Sequence, residues 1–296
     1  KLSLIRCVSL CSMDRYNLRT TIDSFIEKRC PQGARVFVST GGIDSAALVV
    51  ACRDLNIEPT VVSFTLADRE SSDFQQGRRI AEWAKLDFMP IYLSRETGDI
   101  EAEIWRGITS YSLRKKAAIE TFYPLAVLTR HLSAITASPP TVLITGHGSD
   151  GHFCVSKRGM MHFRQTQELF QQFRRSYFAD HANERRMLEN LAADSGLRYV
   201  GPYWDSTVFN MFAESCWEDV NRPRQKEPIR AAFPELDPLR IGDHRNLQLG
   251  DSGIAEIVGE TMRRKYTPTA KSPVSAYNLL IKHYEKERSK RQEGKT

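Results

Sequence analysis

No apolar run in the 296 residues approaches the roughly 20 needed to cross a bilayer, so no membrane-spanning helix is predicted. The opening KLSLIRCVSLCSM is basic and partly apolar, but too short and too polar for a secretory signal, and a cytoplasmic protein is expected. Cysteine is sparse and scattered. Cys7 and Cys11 are the one close pair, with no second pair beside them to complete a zinc site, and Cys30, Cys52, Cys154 and Cys216 stand apart, so all six read as reduced thiols. Internal repeats and low-complexity tracts are also missing, which removes solenoids and most disordered classes. The first glycine-bearing turn, residues 39–45, also lacks the lysine of G-x-x-x-x-G-K-[ST] and the spacing of G-x-G-x-x-G.

What remains is an ordinary globular composition, 41% hydrophobic and 26% charged, in a chain long enough for one large α/β domain or a core with a helical extension. The net charge of +6 suits polyanionic partners such as nucleotides or nucleic acid but names none of them. RQTQELFQQFRRSYFADHANERR and HYEKERSKRQEGKT interleave both signs at helical spacing and read as solvated helix faces.

Leu18, Ile22, Phe25 and Ile26 recur near helical spacing in YNLRTTIDSFIEKR, and Pro31 and Gly33 stop that helix. A buried strand, ARVFVS, follows, then glycines, then the helix DSAALVVACRDLN. The alternation continues through strand PTVVSFTL, helix SDFQQGRRIAEWAKLDF, strand MPIYLS, helices over about 99–136 and strand TVLITG. Strands alternating with helices predict a doubly wound, mostly parallel α/β sheet whose ligands sit at the carboxyl ends of the strands. After about residue 160 the β-branched runs stop and helical segments dominate. This predicts a core over 1–158 and an α-rich region over 159–296 packed on it, with about ten disordered residues at the end.

The glycine-bearing turns fall at strand ends. In Ser39-Thr40-Gly41-Gly42-Ile43-Asp44-Ser45 the glycines permit dihedrals and a close approach that side chains would forbid, so backbone N–H groups can converge on a phosphate. Ser39, Thr40 and Ser45 add hydroxyls, and the start of the next helix adds its positive dipole end. Asp44 would repel a phosphate unless a divalent cation stood between them, which suggests Mg²⁺. The second turn is Gly146-His147-Gly148-Ser149-Asp150. Alone, Asp150 reads equally as a helix cap or turn residue.

The first loop resembles the S-G-G-x-D-S pyrophosphate loop of PP-loop ATP pyrophosphatases, with Thr40 interposed. The second resembles the G-x-G-S-D segment of the asparagine synthetase branch, which includes the β-lactam and carbapenam synthetases. This chain departs from that branch at His147 and Gly151, where the family commonly carries acids. The resemblance implies ATP held by Ser39, Thr40, Gly41, Gly42, Asp44, Ser45, Gly146, Gly148 and Ser149, with Ser63 from the second strand, and Mg²⁺ held by Asp44 and Asp150. In RPRQKEPIRAAFPEL, Lys226 and Arg230 resemble the family's K-x-x-[IL]-[LR]-R segment that reaches the reacting phosphate, although Arg222 and Arg224 compete for that assignment. FYPLAVLTR with Arg130, and GPYWDS with Asp205, are weaker echoes that also suit ion pairing or capping. HRNLQLGDSGI reads as a connecting loop or a lid. His147 and His152 flank the second turn, where no zinc-like third ligand is recognisable.

The resemblance implies an ATP-dependent, AMP- and pyrophosphate-forming ligase that adenylates a carboxylate and passes it to nitrogen. The family's glutaminase, whose catalytic cysteine is residue 1, is not expected, because Lys1 opens the chain and about 35 residues precede the loop. Nitrogen is then expected from free ammonia, a separate glutaminase or an amine. An alternative, favoured by the basic balance, is a PP-loop enzyme adenylating a nucleobase carbonyl in tRNA or a base precursor.

Overall fold

The computed structural model describes residues 14–135, 140–155, 159–242, 251–265 and 272–293. Five strands, β1 (Arg35–Ser39), β2 (Thr60–Leu66), β3 (Phe88–Leu93), β4 (Thr141–Thr145) and β5 (Leu197–Val200), form one sheet in the order β3-β2-β1-β4-β5. β1 pairs in parallel with β2 and β4, and β4 with β5. The helices are α1 (Asp14–Arg29), α2 (Ile43–Asp54), α3 (Ser72–Ala84), α4 (Thr97–Thr109), α5 (Lys116–Ile135), α6 (Asp150–Phe153), α7 (Gln167–Asp180), α8 (Ala182–Asp194), α9 (Ser206–Met211), α10 (Trp217–Asn221), α11 (Glu227–Ala232), α12 (Ile254–Lys265) and α13 (Pro273–Glu293). This is the doubly wound α/β architecture that strand–helix alternation predicts.

Strand order explains where a ligand can go. β1 lies between its immediate successor β2 and the much later β4, so the winding direction reverses between β1 and β4. At such a reversal the connections leave neighbouring strands in opposite directions and open a crevice at their carboxyl ends. Ser39 stands opposite Thr145, so the two glycine-bearing turns leave the sheet side by side at the same height. Val36, Phe37 and Val38 are buried in β1 and all five residues of β4 are buried, as in central parallel strands covered on both faces.

β5 was not expected, because β-branched runs fade after residue 160. Its sequence, LRYV, is short and half polar, and pairing with β4 supplies what local propensity lacks. Close contacts divide the chain into one unit of Lys1–Val62, Gln76–Met89 and Ser138–His244 and another of Ser63–Gln75, Pro90–Ala137 and Arg245–Thr296. The units interleave along the chain instead of following a single cut near residue 158, since β5 and the helices around it share a core with β1 and β4.

In the first unit, Leu18, Ile22 and Ile26 of α1, Leu48 and Val49 of α2, and Val38 and Ile144 of the sheet belong to one buried cluster with Phe153, Tyr203, Trp217, Ile229 and Phe233. Cys52 and Cys154 are buried in that cluster as apolar filler, and Cys30 and Cys216 are free and partly buried, whereas Cys7 and Cys11 lie outside the described residues.

In the second unit, Ile100, Ile104 and Ile108 line the buried side of α4, and Glu103 of that helix pairs with Arg130 of α5. Asp251 accepts hydrogen bonds from the Ser72 backbone N–H and hydroxyl at 3.0 and 3.1 Å, satisfying the start of α3. It belongs to the stretch read as a loop or lid, whose residues 243–250 lie outside the described residues. α13 runs to Glu293, through most of the tail expected to be disordered.

Asp23 of α1 is held up to about 6, mainly by burial, with Asp54 and Glu235 adding to the rise and Arg19 opposing it, and its Oδ1 has no hydrogen-bond partner. A folded state that binds the proton more tightly than the unfolded chain loses stability as pH rises, here from the model-compound value of 3.8 through about 6. Asp23→Asn is therefore expected to stabilise the protein at about pH 8 and to be near neutral at about pH 4, with a gain of about 1 kcal/mol or less because the group is half exposed. Urea unfolding of both proteins at the two pH values measures the difference, and an equal effect at both would contradict the assignment.

Candidate active site

The site grows from the two turns. β1 ends at Ser39, and the Thr40 N–H donates to the Val62 carbonyl at 2.9 Å, carrying the sheet one residue into the loop. Gly41 and Gly42 both direct their N–H groups at Ser45 Oγ, at 3.3 and 3.4 Å, and Thr40 Oγ1 lies 2.8 Å from the same oxygen. Two amides and a hydroxyl therefore converge on one oxygen, the arrangement a phosphate oxygen also satisfies. Gly42 has φ −133, ordinary extended backbone, and Gly41 is not among the positive-φ residues. The first loop thus uses its glycines for space, not for the unusual dihedrals expected from the sequence. A Cβ on Gly42 would meet no protein atom within 4 Å, leaving open room beside the loop.

The second turn does need an unusual dihedral. Gly148 has φ +94, and a Cβ there would lie 2.9 Å from the Trp204 ring. Gly146 serves close approach, because a Cβ would lie 3.1 Å from both Asp44 Cβ and Ser45 N. That contact draws the second turn against the start of α2. Gly151 is equally constrained: a side chain would run into the Tyr177 ring, which accounts for the missing acid at this position.

Asp44 in the first turn of α2 and Asp150 at the start of α6 are brought together by Lys226. The Lys226 ammonium lies 2.5 Å from Asp44 Oδ2 and 2.7 Å from Asp150 Oδ1. Its side chain is 1% exposed, against 16% for Asp44 and 35% for Asp150, so the carboxylates face a more open side than the amine does. Burial pulls the Lys226 pKa down, and the two carboxylates outweigh it, leaving a charged ammonium held above its ordinary value.

The position of Lys226 is built, not incidental. Its backbone is left-handed, with φ 58, an uncommon state for a side-chain-bearing residue. Its N–H donates to Asn221 Oδ1 at 3.3 Å, while Asn221 Nδ2 donates to the Phe153 carbonyl at 2.7 Å and Trp217 Nε1 to the Cys154 carbonyl at 3.2 Å. The short α6 thus presents Asp150 at its start and anchors the Lys226 segment at its end. Arg230 closes the other side, donating from Nε to the Gln225 carbonyl at 3.0 Å and from Nη2 to the Ile241 carbonyl at 3.1 Å. These bonds tie Arg230 Nε and Nη2 to the loop around Lys226.

The remaining expectations sort by neighbourhood. Ser149 is buried in the second turn, and Ser63 is buried in β2, where the second unit begins. His147 is held below its usual pKa by burial, against the pull of Asp150 and Asp44. His152 is a core residue: its Nε2 donates to the Tyr203 carbonyl at 2.8 Å, aromatic rings surround it, and burial depresses its pKa to about 3. Asp205 caps α9 by accepting from the Thr207 N–H at 2.8 Å. Sequence reasoning missed Tyr203, whose hydroxyl donates to the Asp44 carbonyl at 3.0 Å, and the anchors Asn221 and Trp217. Only the aromatic content of GPYWDS hinted at the first.

The residues present fit a magnesium ion. Asp44 Oδ1 is buried without a hydrogen-bond partner next to the ammonium-bound Oδ2, an acceptor left open. Among the described residues no cluster of three or more His, Cys, Asp or Glu could hold a metal. Two carboxylates with the remainder from phosphate and water is the ligation magnesium ordinarily takes.

Among the described residues no helix is long and apolar enough to cross a membrane. Comparison with curated proteins returns no match. The asparagine synthase family model matches residues 26–272, which spans both turns and Lys226. The chain therefore belongs to the asparagine synthase family and is an ATP-using ligase of the amide-forming kind.

Proposed function

We propose that the protein cleaves ATP between its α and β phosphates, joins AMP to a substrate carboxylate, and transfers the acyl group to ammonia or an amine. One observation carries this reading: Lys226 joins Asp44 and Asp150 where the carboxyl ends of β1 and β4 meet. A triphosphate laid along the first loop would take the Gly41 and Gly42 amides and the Thr40 and Ser45 hydroxyls, with the start of α2 adding its positive end. Asp44 and Asp150 would hold magnesium, which when bound neutralises the polyphosphate and orients it.

The reaction balances in two steps. A carboxylate oxygen attacks the α-phosphorus as the bond to the β-phosphate oxygen breaks, giving acyl-AMP and pyrophosphate. Nitrogen then attacks the acyl carbon, a proton leaves nitrogen, and AMP departs. Negative charge grows on the transferred phosphate in the first step, and an ammonium already oriented and buried stabilises it more in the transition state than in the ground state. Arg230 acts as a positioning residue for the Lys226 loop. The nitrogen source is proposed to be free ammonia, a separate glutaminase or an amine substrate.

The test is product analysis with ATP, Mg²⁺ and a pool of carboxylates: AMP and pyrophosphate are expected, and ADP with phosphate would overturn the adenylation reading. Once a substrate is found, Lys226→Met is expected to lower kcat by about 10²-fold or more with a smaller change in the KM for ATP. Gly42→Ala should leave thermal stability nearly unchanged, because its Cβ meets no protein atom, yet weaken ATP binding by about tenfold or more in calorimetry. Equal ATP affinity in that variant would place the nucleotide elsewhere.

A further inference from the structure

We infer that Lys226 is an internal counter-cation that keeps free divalent metal off the Asp44 and Asp150 pair, so that magnesium enters only together with nucleotide. The inference rests on the proposed nucleotide and metal reading and adds an order of binding to it. The ammonium contacts one oxygen of each carboxylate, at 2.5 and 2.7 Å, and its side chain is fully buried. It therefore offsets one of the two carboxylate charges and occupies one oxygen of each. A divalent ion on the same oxygens would meet a cation held at contact distance by a left-handed backbone and by Asn221.

Lys226 cannot simply withdraw in the absence of ligand. Its side chain is surrounded by protein, with the Phe153 ring 6.0 Å from Nζ, and its ammonium donates to the two carboxylates. Leaving them would strand a buried charge. A triphosphate changes the balance, because its oxygens offer the ammonium an equivalent anionic partner while its own charge attracts the metal. Metal and nucleotide affinity are then coupled, each raising the other by the same factor. Asp44 Oδ1 is buried without a hydrogen-bond partner, so an ion reaching it would break no bond there.

The test uses Mn²⁺ alone as probe, counted by the electron paramagnetic resonance of the free ion, on the full chain. Lys226→Met is expected to bind Mn²⁺ at least about tenfold more tightly than the wild type, and Asp44→Asn in the same background should abolish that gain. With α,β-methylene ATP present, the wild type should bind Mn²⁺ in excess of what the analogue holds in solution. A purely structural lysine would lower stability on substitution without raising Mn²⁺ affinity, and that result overturns the inference. Lys226→Gln keeps chain length and a donor while removing the charge, and serves if Lys226→Met does not fold. If both fail to fold, the wild type alone decides: submillimolar Mn²⁺ binding without nucleotide overturns the proposal, and its absence sustains it. If no protein takes up Mn²⁺ even with the analogue, the metal reading fails together with the inference. If uptake occurs with the analogue but wild type and variant bind Mn²⁺ alone equally, only the inference fails.

Discussion

A single buried ammonium, shared between two carboxylates from different strand ends, organises the active region. Taking Lys226 out of water is costly, and the contacts at 2.5 and 2.7 Å to Asp44 and Asp150 compensate for it while leaving the carboxylates partly open. Removing Lys226 would leave two unpaired carboxylates at the place where two loops, α2, α6 and the Lys226 segment meet. The same charge balance explains how so polar a group of side chains can sit against the core cluster that contains Phe153, Tyr203 and Trp217.

The sheet makes that meeting possible. Because the winding reverses between β1 and β4, two turns distant in sequence begin at the same height, Ser39 opposite Thr145. Gly146 then permits van der Waals contact with Asp44, and a hydrogen bond from Tyr203 to the Asp44 carbonyl fixes the start of α2. Rigid elements thus set the carboxylate separation.

Part of this could be read from the sequence and part could not, for physical reasons. The strands around the first loop are nearly continuous apolar runs, and both turns carry glycine next to aspartate, so β1, β4, Asp44 and Asp150 were all visible locally. Lys226 was visible as a residue type, but its placement depends on a left-handed backbone and on Asn221 reaching back to Phe153, neither of which leaves a periodic signal. Arg230 looked like a phosphate ligand, and its bonds to the Gln225 and Ile241 carbonyls became apparent only with the chain folded. β5 is four residues long and owes its extended form to β4. Gly151 looked like a loss from the family pattern, and the Tyr177 ring packed over it supplies the reason.

In the proposed reaction Asp44, Asp150 and Lys226 form one site for a metal-bound triphosphate. A crystal structure of the protein with magnesium and an ATP analogue that cannot be cleaved tests this most directly. It should show the ion on both carboxylates and the Lys226 amine moved onto a phosphate oxygen. A nucleotide bound elsewhere, with the lysine still joining the two aspartates, would contradict it.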